Sequence, residues 1–127
     1  MIKVNEGAKL VLDKLWSLAE QNNCYYKLNN DSTYLPLTIE ILDNNQISLC
    51  HYDDINGDLM RDPEMVFWKD DDSEYYPFYY RNDYVAFEQL IGEIIENKLI
   101  IENIEDQESQ VEIANIWMKN IKYQQKI

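Results

Sequence analysis

The sequence predicts an α+β domain, with an N-terminal helix and two C-terminal helices packed on an antiparallel sheet of four or five strands. Three observations predict it. Apolar residues recur at helical spacing near both ends of the chain, apolar and polar residues alternate through the middle, and polar stretches of hairpin length separate the alternating runs. With 127 residues and 46% hydrophobic content, the chain can bury one core without disulfides or metals. No internal repeat and no Gly-, Ser- or Pro-rich linker divides it, so a single domain over residues 1–127 is expected.

The elements follow in order. Asn5 is an acceptable N-cap, and Leu10 or Val11, Leu15 and Leu18 or Ala19 set a helical stripe from about Glu6 to Gln21, which "NNC" ends. In "YLPLTIEIL", Leu35, Leu37, Ile39 and Ile41 share one face; in "QISLCHY", Ile47, Leu49 and His51 oppose Ser48, Cys50 and Tyr52. The turn signal "DNNQ" joins the two as a hairpin. "EMVFW" and "EYYPFYY" form the next pair across "KDDDS", with Pro77 placing its strand at an edge or facing solvent. A helix from about Tyr84, capped by Asp83, is read from Phe87, Leu90 or Ile91, Ile94 or Ile95 and Lys98 or Leu99. A last helix from about Ser109 carries Val111, Ala114, Trp117 and Ile121 on one stripe, and its tail "KYQQKI" is expected to fray.

Charge narrows the function classes. Eleven basic residues face 24 acidic ones, for a formal charge of −13 and a pI near 4.3. Such a surface repels phosphate backbones and attracts basic proteins or cations, so direct nucleic-acid binding is not expected. Cys24 and Cys50 are too few for a disulfide framework and are read as reduced thiols. The first 21 residues do not resemble a signal peptide, and no stretch approaches the ~20 apolar residues of a membrane span. The expectation is a soluble cytoplasmic protein.

Catalytic and metal readings find little support. His51 is the single histidine, and the alternation of its strand turns Cys50 to the opposite face; it is read as a half-buried sheet residue that bonds locally. "YDDINGDLMRDPE" superficially resembles a calcium loop. If Gly57 takes its sixth position, however, Tyr52 falls at the first and Pro63 at the last, where ligands are needed. Gly7, Gly57 and Gly92 are isolated, so no phosphate loop exists, and no cofactor is expected.

What remains is an acidic, aromatic stretch. From Asp53 to Glu74, nine acids stand against Arg61 and Lys69, so seven of the thirteen net negative charges fall in 22 residues. Asp53, Asp54, Asp58, Asp70, Asp71, Asp72 and Glu74 are the candidate partner-binding acids, with Trp68, Tyr75 and Tyr76 as aromatic anchors of the kind enriched in interfaces. Half of the aromatics are nevertheless needed for the core of so small a domain, and "KDDDS" also reads as a solvated turn.

"HYDDINGDLMRDPEMVFW" and "YYPFYYRNDY" resemble the signature of a small domain family carried by phages, plasmids and conjugative elements. Gly57, Asp58, Met60, Asp62, Pro63, Met65 and Phe67 fit its first block, and the match spans roughly residues 34 to 90. The same residues have a structural reading, in which Asp58 and Asp62 cap turns, Pro63 starts a strand, Met65 and Phe67 face inward, and Asn82 and Asp83 launch the following helix. The resemblance implies no catalytic residue. It implies a mobile-element protein, and the charge suggests one that occupies the basic groove of a host nucleic-acid-handling defence protein: an anti-CRISPR protein acting on a Cas effector, or a restriction-enzyme inhibitor. The alternative is an accessory binding module without inhibitory role, dimeric through Trp117, Met118 and Ile121 of the last helix.

Overall fold

A computed structural model of the chain describes all of residues 1–127. Helix α1 (Glu6–Glu20) leads into strands β1 (Tyr25–Leu28), β2 (Leu37–Leu42), β3 (Gln46–Ile55), β4 (Asp58–Lys69) and β5 (Tyr75–Asn82). A short 3₁₀ turn (Asp83–Val85) precedes β6 (Phe87–Leu90), β7 (Gly92–Ile95) and β8 (Lys98–Ile101), and α2 (Ile104–Gln125) closes the chain. The first six strands form one antiparallel sheet in sequence order, while β7 and β8 form a separate hairpin. The α+β class stands, with six strands in the main sheet where four or five were expected and one C-terminal helix where two were.

Local chemistry explains the elements. The Asn5 side chain accepts from the Ala8 N–H at 2.8 Å, as an N-cap should, and α1 buries Ala8, Val11, Leu12, Leu15 and Ala19. Asn56 and Gly57 at φ 54° and 88° close β3–β4, and Glu96 and Asn97 at 51° and 63° close β7–β8. Both are two-residue loops whose left-handed residues match the twist of the flanking strands.

Two cores sandwich the sheet. On one face, α1 and α2 bury Leu12, Leu15, Trp117, Met118 and Ile121 against Ile39, Leu49, Met65 and Phe67. On the other face of β4 and β5, the β7–β8 hairpin covers a smaller core of Trp68, Phe78, Ile91 and Leu99. Pro77 sits opposite Phe67, where Phe78 is an extra, unopposed residue in the β4–β5 ladder. The proline is buried and does not face solvent, but it lies at a local sheet edge, as expected: β4 flanks it on one side, while β6 pairs only with Tyr79–Asn82 and leaves its other side without a strand.

Other expectations are corrected. Residues 84–99 form a turn, β6, β7 and the start of β8 instead of a helix, because Ala86 is left-handed and Glu96 and Asn97 reverse the chain. Helix α2 starts five residues before Ser109, with Asn103 accepting from Glu105 and Asp106 N–H groups at 3.0 and 3.1 Å. Its tail is held: the Asn30 N–H donates to Gln125 Oε1 at 2.8 Å, and the Asn30 amide donates to the Gln125 carbonyl at 2.9 Å. Pro63 lies inside β4, not at its start. Trp117, Met118 and Ile121 are buried in the chain's own core, so the expected dimer stripe is not a free surface.

A Cβ at Gly92 would stand 2.6 Å from the Ile100 carbonyl oxygen of the paired strand. Gly92→Ala is expected to cost about 1–3 kcal/mol, the usual range for forcing extra volume into a packed site. Urea unfolding monitored by Trp fluorescence checks this, with the midpoint falling while the slope is retained.

Candidate functional site

The candidate acids do not form one surface. Asp58 opens the 12-residue β4 and Asp70 follows its last residue, so at a strand rise of ~3.3 Å per residue they lie up to roughly 40 Å apart. The predicted stretch is therefore two separate acidic tips.

At the first tip, β3 and β4 pair out to Ile55 and Asp58, beyond the last ladder partners of β2 at His51 and of β5 at Glu64. The projecting arm carries Asp53, Asp54 and Asp58. Asp54, not Asp58, holds the turn by accepting from the Gly57 N–H at 2.9 Å. Asp53 accepts from the Tyr84 hydroxyl, a bond that pushes the Tyr84 pKa up to about 12. Behind the arm the two signature blocks clasp each other. The Asn82 amide donates to Asp62 Oδ1 at 3.1 Å, the Arg61 N–H donates to Asp83 Oδ2 at 2.9 Å, and Arg81 Nε bonds Asp83 Oδ1 at 2.7 Å. The Arg61 N–H and then the Arg81 guanidinium hold the Asp83 carboxyl below the usual carboxylate range. Asp83 thus ties β4 to β5 instead of capping a long helix; Asn82 caps the 3₁₀ turn by accepting from the Tyr84 N–H at 3.0 Å. Asp62, Asn82 and Asp83 account for much of the signature as a structural joint.

At the second tip, three turns converge around a concavity of about 620 Å³. Asn44 and Asn45 come from the β2–β3 turn, Asp70, Asp71 and Asp72 from the β4–β5 turn, and Glu96, Asn97 and Lys98 from the β7–β8 turn, with Trp68 beneath them. The predicted residues have unequal roles here. Asp70 is spent on its own turn, accepting from the Asp72 and Glu74 N–H groups at 2.9 Å each and from the Tyr76 hydroxyl at 3.0 Å. Glu74 is paired with Lys3 and Lys9, both at 3.4 Å. Asp71 and Asp72 are exposed and enter no ion pair. Lys69, the nearest base in sequence, has its Nζ 4.3 Å from the Trp16 ring centroid.

The aromatic anchors are corrected. Tyr75 is fully buried, with its hydroxyl donating to Asp13 at 2.8 Å, and Trp68 is only 8% exposed because it fills the smaller core. Tyr76 alone remains half-buried, its ring centroid 5.7 Å from that of Trp68; burial and then the Asp70 carboxylate push its pKa up to about 12. Asn44, Asn45 and Glu96 escaped the sequence reading. Asn44 and Asn45 were visible as a turn signal, but Glu96 was assigned to a helix, and nothing local brings the three turns together.

His51 and Cys50 point to opposite faces of β3, as the alternation predicted. His51 shares a 3.0 Å hydrogen bond between Nδ1 and the Pro36 carbonyl, and burial lowers its pKa. Burial, reinforced by the Glu64 carboxylate, pushes the Cys50 thiol up to about 12. No three His, Cys, Asp or Glu side chains converge as a metal-ligand set, and no helix is long and apolar enough to cross a membrane.

Residues 9–127 match the family described as Domain of unknown function (DUF6908), and the chain belongs to that family. No curated protein and no solved structure matches it.

Two outcomes check this geometry. Asp70→Ala strips three donors of their acceptor and is expected to cost about 1–3 kcal/mol, while Asp71→Ala leaves the urea midpoint unchanged. A thiolate-selective disulfide reagent near pH 8 is expected to label exposed Cys24 and spare Cys50, which stays protonated until the pH approaches its raised pKa; unfolding in urea releases the second thiol.

Proposed function

We propose that this family member is a non-enzymatic binding module whose acidic β4–β5 tip occupies a Lys/Arg-rich groove on a nucleic-acid-handling protein. One observation carries the reading. Asp71 and Asp72 crown a turn whose backbone is already secured by Asp70, and Glu96 joins them from another hairpin, so these carboxylates are not consumed by the fold. Exposed charge that does no internal work, on a chain of net charge −13, is placed to steer a basic partner. Beyond the ~8 Å screening length of physiological salt its influence fades, so association weakens as salt rises.

The concrete form of the proposal is a protein of a mobile genetic element that acts in the bacterial cytoplasm and inhibits a host defence protein, either a Cas effector or a restriction enzyme. The resemblance of the Gly57–Phe67 block to a phage and plasmid domain family supports this form, and the charge supports the mechanism. An imidazole bonded to a backbone carbonyl and a thiol kept protonated supply no evident nucleophile and base pair, which favours binding over catalysis. An accessory module dimerising through Trp117 loses its proposed contact, since that stripe is buried.

The test is retention of a panel of Cas effectors and restriction enzymes on the immobilised protein at low and high salt. Asp71→Lys with Asp72→Lys is expected to weaken capture of the specific partner about tenfold or more at low salt. Asp54→Lys with Asp58→Lys, at the opposite end of β4, is expected to leave it nearly unchanged. Undiminished capture by the folded Asp71/Asp72 variant refutes the reading.

A further inference from the structure

On the helix side of the sheet, away from the acidic concavity, a cleft of about 280 Å³ opens where β3, the segment before β2 and the C-terminal half of α2 meet. Seven residues line it, and none carries a formal charge, although 28% of the chain is charged. Its walls hold polar groups that the fold leaves unused. A carbonyl oxygen only accepts, so the bond to Pro36 places the proton of His51 on Nδ1 and leaves Nε2 as a bare acceptor. Burial lowers the ring's pKa and so favours the neutral imidazole, against the opposing pull of the Pro36 carbonyl and the Asp62 carboxylate.

Beside it stands Trp117, 8% exposed, its ring centroid 5.5 Å from that of His51 in an edge-on arrangement. Its Nε1–H is buried with no hydrogen-bond partner, a condition it shares with the Trp68 indole on the other face of the sheet. Asn120 and Gln124, one turn apart on α2, also face the cleft. The contrast with the other amides of α2 is specific. Gln107 bonds Pro77 and Ile2, Gln110 bonds Gln89, Asn115 bonds Asn5, and Gln125 bonds Asn30, each joining α2 to another part of the chain. Asn120 and Gln124 join nothing.

We propose that this cleft is a binding site for a neutral, planar, hydrogen-bonding heterocycle, namely a nucleobase carried as an unphosphorylated nucleoside. The His51 Nε2 acceptor takes a ring N–H or exocyclic amine. The side-chain amides of Asn120 and Gln124 supply the donor and acceptor pairs that read base edges. Tyr34 and Trp117 bring aromatic surface to the walls, and Leu35 and Pro63 give the apolar rim expected of a small-molecule site. A phosphate is disfavoured by the net charge of −13.

The experiment is a titration of the ¹⁵N-labelled full chain with each of the four common ribonucleosides, their 5′-monophosphates and a neutral methyl glycoside, read at His51 Nε2 and the Trp117 indole N–H. At least one nucleoside is expected to shift both signals saturably while the Trp68 indole, on the other face of the sheet, stays still. Its monophosphate binds more weakly, and Asn120→Ala with Gln124→Ala weakens the nucleoside about tenfold. If the double variant does not fold, Asn120→Ala alone, at an exposed position, serves the same comparison. The proposal falls if no nucleoside shifts the two signals saturably, if the folded variant binds undiminished, or if the glycoside shifts them as strongly as any nucleoside.

Discussion

Strand β4 must hide side chains on both of its faces, and the rest of the architecture answers that requirement. Met65 and Phe67 point to the helices, while Trp68 points the other way into a core that a plain two-layer domain would not have. A sheet buried on one side needs only α1 and α2. Burying Trp68 as well calls for a second lid, and the β7–β8 hairpin is that lid, with Ile91 and Leu99 beneath it. Close approach of the hairpin's two strands permits no side chain at position 92. The lid's turn then falls beside the β4–β5 turn, so the acidic concavity is a by-product of covering the indole.

The parts of this fold that were legible in the sequence are those where one period dominated. Val11 and Leu15 marked α1, and Leu37, Ile39, Ile47 and Leu49 marked the first hairpin, because a single buried face leaves a clean pattern. Residues 87–99 misled for a physical reason: two short strands around a two-residue turn return apolar side chains every three or four positions, which also satisfies a helical template. The early part of α2 was hidden by Gln107 and Gln110, buried amides that break an apolar stripe while making hydrogen bonds no local rule can foresee. Asn56–Gly57, a strong hairpin signal, was weighed as a calcium loop and its turn chemistry passed over.

The candidate site was less legible than the fold. Charge density along the chain identified Asp71 and Asp72, but it also joined Asp53, Asp54 and Asp58 to them across a strand that holds them far apart. Proximity in sequence is proximity in space within a turn, not along an extended strand. Trp68 and Tyr75 show the complementary limit. Composition marks an aromatic as a possible anchor, and only the tertiary arrangement decides whether its surface is already spoken for. The same arrangement brings in countercharge that the local stretch does not show, since Lys3 and Lys9 turn to Glu74 and Lys98 lines the concavity, so the outward negative field at that tip rests on Asp71, Asp72 and Glu96.

Gln125 meets Asn30 across 95 residues of chain, and Ile2 and Asn5 meet Gln107 and Asn115 across more than a hundred. During synthesis, therefore, α1 and the first hairpin emerge from the ribosome with their apolar face open, and the helix that covers Leu12 and Leu15 arrives last. The nascent domain passes through a stage in which its largest sticky surface is complete and its cover is still untranslated. At that stage the open apolar face is exposed to aggregation and to chaperones, a vulnerability the finished fold no longer has.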